Sequence, residues 1–113
     1  MFNTVSNNFE SENPKEDITN FSGPMIVDFF ATWCGPCKML SPVLERVHEK
    51  YGDSLKILKV DIDKHEKLAR EYEVMSVPTL FFYLNGEVVS QRSGFIPENE
   101  LCDIIESQLM KKI

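Results

Sequence analysis

Cysteine is scarce in this chain, with three among 113 residues. Three is too few, and odd, for a framework of disulfides, so the fold has to rest on an apolar core. No internal repeat or low-complexity tract is present. No apolar stretch approaches the roughly 20 residues that a membrane-spanning helix needs. Basic residues are in deficit: twelve Lys and Arg against eighteen Asp and Glu give a net charge of −6. With no basic stripe, nucleic-acid binding has no electrostatic footprint. The opening MFNTVSNNFESENPKED has neither the basic start and apolar run of a secretory signal nor the Arg-rich pattern of a transit peptide. These absences predict a cytoplasmic protein with no membrane contact. In that reducing setting a CxxC pair is redox-active or metal-binding rather than structural.

What is present fits one domain over residues 1–113. The apolar content of 42% is ordinary for a globular chain. A domain of this size buries roughly two-thirds of its unfolded surface, enough for a self-supporting core. Residues 1–20 are weakly patterned. Asn13-Pro14 reads as an N-cap and first helical residue, with Ile18 and Phe21 facing inward. Val5 and Phe9 suit a short edge strand. MIVDFFA (25–31) is a β-rich apolar run broken by one Asp, as in a strand covered on both faces. From Pro36, the residues Leu40, Val43, Leu44, Val47 and Tyr51 recur at helical spacing, with Gly52 as the stop. Pro42 inside this helix predicts a kink. LKILKVDID (55–63) alternates as a second strand, and Asp63 to Glu66 reads as a cap for a short helix through Leu68, Ala69 and Tyr72. TLFFYL (79–84) and VVSQRSG (88–94) flank Asn85-Gly86, a hairpin signal. Pro97 opens a last helix with Leu101, Ile104, Ile105 and Leu109 inside. Two βα units predict a parallel core with the hairpin as an antiparallel edge, an α/β fold with helices on both faces.

The chemistry concentrates in WCGPCK (33–38). Cys34 falls between the end of a buried strand and the start of a helix, where free N–H groups and the macrodipole favour a thiolate. Cys37 lies one turn on, close enough to close a small disulfide ring. The spacing supports a two-step exchange: Cys34 attacks a substrate disulfide, then Cys37 attacks Cys34 and releases the reduced substrate. Lys38 adds positive charge nearby. Asp28, alone in its apolar strand, is a candidate buried carboxyl with a raised pKa, able to take the Cys37 proton. A strand-end residue in contact with solvent is its plainer reading. Lys59, at the matching point of the second strand, is placed to tune it. Pro78 marks the start of a strand.

Taken together, WCGPCK, VDFFATWCGPCKMLSP (27–42), KVDID (59–63), SVPTLFFYLNGEVV (76–89) and the stretch from Gly94 to Leu101 resemble the thioredoxin family over roughly residues 22–110. The resemblance implies a thioredoxin-like fold, a central mixed sheet flanked by helices on both faces. It implies protein-disulfide reduction, with Cys34 attacking, Cys37 resolving, Asp28 assisting proton transfer and Lys59 beside it. Gly35 and Pro36, between the cysteines, resemble the reducing rather than the oxidising relatives. Trp33, Val77, Pro78 and Gly94 map onto the surface that receives substrate peptides, with the Val77–Pro78 bond cis. The implied partners are disulfide-containing client proteins and a thioredoxin reductase that supplies NADPH electrons through its own flavin. The chain itself is expected to be a monomer without a cofactor. Phe30 replaces a second Trp found in many members, and Cys102 has no counterpart.

Plainer and rival readings bear on the same residues. A zinc half-site for Cys34 and Cys37 needs two more ligands, and only Cys102, His48 and His65 remain, none paired near the motif. Cys102 reads as a small apolar residue on the inner edge of the last helix, with a regulatory thiol or a dimer disulfide, if it is exposed, as the sharper alternative. His48 and His65 read as solvated helix residues. The functional rivals are a disulfide oxidant or isomerase, and a binding module that uses the fold without turnover.

Overall fold

The computed structural model describes residues 9–110. The order of elements is α1 (Pro14–Asn20), β1 (Pro24–Phe30), α2 (Gly35–Tyr51), a 3₁₀ turn (Gly52–Ser54), β2 (Lys56–Asp61), α3 (Glu66–Glu71), β3 (Thr79–Leu84), β4 (Glu87–Ser93) and α4 (Glu98–Ile104), which continues as a π-helical segment (Ile105–Leu109). One four-stranded sheet carries the order β2-β1-β3-β4. β1 and β2 are parallel, while β3 runs antiparallel to β1 and β4 antiparallel to β3.

The sheet is mixed, but less parallel than two βα units suggest. Among the strands described, β1 and β2 form the one parallel pair. The reason lies in α3. Its six residues span about 9 Å at 1.5 Å per residue, too short to carry the chain back along a strand of roughly 20 Å. The chain enters β3 from the same end at which it left β2, and β3 runs the other way.

β1 is buried along nearly its whole length, because both faces of the sheet are covered. On one face Ile26, Ile57, Leu80 and Phe82 pack with Leu40, Val43, Leu44 and Val47 of α2 and with Leu101, Ile104, Ile105 and Leu109. On the other face Met25, Val27, Phe29, Leu58, Val60 and Phe81 pack with Ile18, Leu68 and Ala69. Alternate strand residues thus enter different cores, which is why the strand reads as a continuous apolar run.

The ends of the elements mostly obey local chemistry, and two of the exceptions concern residues read as caps from the sequence. At the hairpin, Asn85 and Gly86 both take positive φ, 53° and 87°, the type I′ geometry that suits twisted strands. Asn85 also clamps β1: its N–H donates to the Gly23 carbonyl at 3.2 Å and its Oδ1 accepts from the Gly23 N–H at 3.0 Å. Gly52, at φ 54°, ends α2 and donates its N–H to the His48 carbonyl. The assigned helix runs through Pro42 without a break. The first exception is Asn13, which holds the N-cap position of α1 without a side-chain cap bond. The second is Asp63. The N-cap of α3 is His65, not Asp63, because Asp63 is engaged elsewhere, as described below. Of the residues expected in an edge strand, Val5 lies outside those described. Phe9 is buried in the α2-side core, and the next residue, Glu10, makes a single parallel bridge to Lys59.

Candidate active site

The C-terminal end of β1 delivers the chain into the first turn of α2, and the two cysteines of WCGPCK sit on that junction. Cys34 is the N-cap of α2, with extended backbone, and Cys37 is in the first turn. Their sulfurs form a disulfide, with Cα atoms 5.3 Å apart. The Cys37 N–H donates to Cys34 Sγ at 3.1 Å. The cap position thus aims an otherwise unpaired helix N–H at the first sulfur, where it would stabilise a thiolate. Pro36 lacks an N–H, and its place in the first turn costs no hydrogen bond.

The second wall comes from the other end of the chain. The Val77–Pro78 peptide is cis, and the Val77 carbonyl oxygen lies 3.6 Å from Cys34 Sγ. The Pro78 carbonyl accepts from the Gly94 N–H at 2.8 Å. Gly94 has φ 92°, a conformation strained for any residue with a Cβ. Phe30, Ala31, Cys34 and Cys37 pack as one small cluster, with Ile62 and Val77 against it. Beside it, Trp33 is 67% and Met75 92% exposed. With Ile62, Val74, Ser76 and Val77 they line a shallow groove next to the disulfide.

Beneath the disulfide lies a buried polar pair. Asp28 and Lys59 are register partners across β1 and β2, and both point toward α2, between the apolar residues of that face. They are 1% and 6% exposed. Burial pushes the Asp28 carboxyl up to about 7, with the Lys59 charge opposing the shift. Asp28 Oδ1 has no hydrogen-bond partner among the described residues. Lys59 Nζ does not pair with it; it donates to Ser41 Oγ at 2.8 Å. Among the described residues, no group of three His, Cys, Asp or Glu side chains is placed to hold a metal ion.

A family model for thioredoxin matches residues 5–107. The chain is 46% identical over 87 residues to the thioredoxin of Bacillus subtilis (strain 168), covering 77% of this chain and 84% of that protein. It is 48% identical over 88 residues to the thioredoxin of Staphylococcus saprophyticus, covering 78% and 85% respectively. The chain belongs to the thioredoxin family. It is a protein thiol–disulfide oxidoreductase with a CxxC redox pair.

Within this thioredoxin fold, the residues singled out from the sequence fall into one neighbourhood. Cys34, Gly35, Pro36 and Cys37 cap α2, Val77, Pro78 and Gly94 form the facing wall, and Trp33 flanks the groove. Asp28 and Lys59 share the α2-facing side of the sheet. The strand-end reading of Asp28 fails, because the residue is mid-strand and sealed from water. Two residues have roles here that sequence reasoning did not assign. Asp63 Oδ2 accepts from Trp33 Nε1 at 2.9 Å, which takes Asp63 away from the α3 cap. Ser41 holds the Lys59 ammonium. The only sequence signal for Ser41 was its place one turn after Cys37. Cys102 is buried on the inner side of α4, with Lys50 Nζ 3.8 Å from its sulfur at the opposite end of α2 from the disulfide. Among the described residues, no helix is long and apolar enough to cross a membrane.

Proposed function

We propose that this thioredoxin-family protein reduces disulfides in client proteins through Cys34 and Cys37, and is returned to the dithiol form by a thioredoxin reductase in the cytoplasm. The observation that carries the reading is the Cys34 sulfur at the helix N-cap, receiving the Cys37 N–H at 3.1 Å. In the reduced protein the same N–H and the helix N-terminus stabilise a Cys34 thiolate. That thiolate attacks a client disulfide, forms a mixed disulfide and expels the first client thiolate. Cys37 then gives up its proton, attacks Cys34 and expels the second, leaving the Cys34–Cys37 disulfide. Two electrons pass to the client, and the reductase restores them.

Asp28 is the proton acceptor for Cys37. A base works best when its pKa lies near the working pH, and burial holds Asp28 at about 7. Lys59 tunes this carboxyl. Gly35 and Pro36 set the redox poise toward reduction. Trp33, Val77, Pro78 and Gly94 receive the client as an extended segment, with the Val77 backbone pairing by strand-like hydrogen bonds. The unit acts as a single domain, as a monomer and without a bound cofactor.

Insulin-disulfide reduction driven by NADPH and a thioredoxin reductase tests this reading. Turnover by the wild type that is lost in Cys34→Ser supports it. Equal inactivity of the two proteins would return the chain to a binding role.

A further inference from the structure

On the α2-facing side of the sheet, two buried groups of opposite charge stand on neighbouring strands without bonding. Asp28 and Lys59 are register partners, yet the ion pairs among the described residues are Lys15–Glu71, Arg46–Glu98 and Arg92–Glu100. An isolated buried ammonium is costly and seeks the nearest acceptor. Here that acceptor is Ser41 Oγ, at 2.8 Å. Ser41 is one turn beyond Cys37 on the same helix face, and its hydroxyl donates to the Cys37 carbonyl at 3.4 Å. The Phe30 ring, 4.6 Å from Nζ, adds a cation–π contact on a second side. A hydroxyl and an aromatic face thus hold a charge that has a carboxyl on the adjacent strand.

We propose that Ser41 is a positioning residue, which anchors the Lys59 ammonium to the first turns of α2 and so keeps it off the Asp28 carboxyl. Few other groups on this face compete. β2 adds Asp61, whose Oδ1 accepts from the Asp63 N–H at 2.9 Å. α2 adds the disulfide itself. β3 presents apolar Leu80 and Phe82, and the α4 contribution, Cys102, lies by Lys50 at the far end of α2. Without the Ser41 hydroxyl, Lys59 loses its acceptor, and the carboxyl of its register partner Asp28, whose Oδ1 has no hydrogen-bond partner among the described residues, is open to receive it. A close ammonium favours the carboxylate and lowers the pH at which Asp28 takes up its proton. Ser41 therefore sets the range in which Asp28 exchanges protons. This deepens the role given to Asp28 above and rests on it for its functional consequence.

The test is a carbon-detected NMR titration of the Asp28 carboxyl in the oxidised protein, which needs no turnover. Ser41→Ala should lower the Asp28 midpoint by at least about one pH unit, the effect of an opposite charge brought close. Ser41→Thr, which keeps the hydroxyl, should restore it. In a Lys59→Met background, Ser41→Ala should leave the midpoint unmoved. An unchanged midpoint in Ser41→Ala, or a shift that persists without Lys59, would overturn the proposal. The pH dependence of mixed-disulfide resolution, measured in single turnover, separates the two claims. If the carboxyl midpoint moves and the kinetic inflection does not, Ser41 positions Lys59 but Asp28 is not the base for Cys37.

Discussion

Replacing Asp28 by Asn should stabilise the oxidised protein, and by an amount that grows with pH. In the fold the Asp28 carboxyl titrates at about 7 instead of its ordinary 3.8. Between these values the folded state holds a proton that the unfolded chain has released. Stability therefore falls as pH rises through this window and levels off above it. At about 1.4 kcal/mol per pH unit the full penalty is about 4 kcal/mol, of which about 2 kcal/mol develops between pH 5.5 and 8. Burial is the main cause and Lys59 only reduces it, so the penalty belongs to the ionised group and not to the shape of the side chain. An asparagine amide cannot ionise, and the variant escapes the loss. Urea unfolding of both proteins at a series of pH values, followed by far-UV circular dichroism, gives the difference directly. The gap between variant and wild type should widen by about 2 kcal/mol from pH 5.5 to 8. A gap of the same size at both pH values would refute the reasoning, because Asp28 would then not be titrating in that window.

Other outcomes follow from the same geometry. Asp28→Asn should also slow the release of client from the mixed disulfide at neutral pH, as read by single-turnover kinetics; an unchanged rate would remove Asp28 from proton transfer. Cys37→Ser should accumulate covalent adducts with client proteins that reductant dissolves on non-reducing gels, and their absence would argue against Cys34 as the attacking sulfur. Leu44→Ala empties a fully buried position in the α2 core and should cost about 3–5 kcal/mol in chemical unfolding. Asn85→Ala puts an alanine at one of the two positive-φ positions of the hairpin and removes the acceptor for the Gly23 N–H, and should cost about 1–3 kcal/mol in the same measurement. Asp63→Ala frees the indole of Trp33, the chain's single tryptophan, so its fluorescence should change while the fold, by circular dichroism, does not.

The elements were legible where pattern and punctuation agreed. β1 announced itself as an apolar run between two Gly-Pro signals, α2 as helical spacing closed by Gly52, and the hairpin as Asn85-Gly86. The direction of β3 was not legible. It depends on whether α3 is long enough to recross the sheet, and hydrophobic periodicity around Leu68, Ala69 and Tyr72 does not report that length. Asp63 misled for a related reason. A carboxylate three residues before a Glu looks like a cap, but the fold offers it the indole of Trp33, 30 positions earlier.

The same division holds at the site. By itself the sequence determined the reactive pair, because Cys34-x-x-Cys37 at a strand-to-helix boundary carries its chemistry within one helical turn. It also marked Asp28, since a single carboxyl in an apolar strand is conspicuous without any structure. Only the tertiary structure decided how these groups meet. It brought the Val77 carbonyl, 43 residues away, to 3.6 Å from Cys34 Sγ, and it covered both faces of β1 so that Asp28 is sealed from water. It also gave Lys59 to Ser41 instead of to its strand neighbour. Local chemistry is written in spacing, whereas the partner of a buried charge depends on which element the fold lays over it.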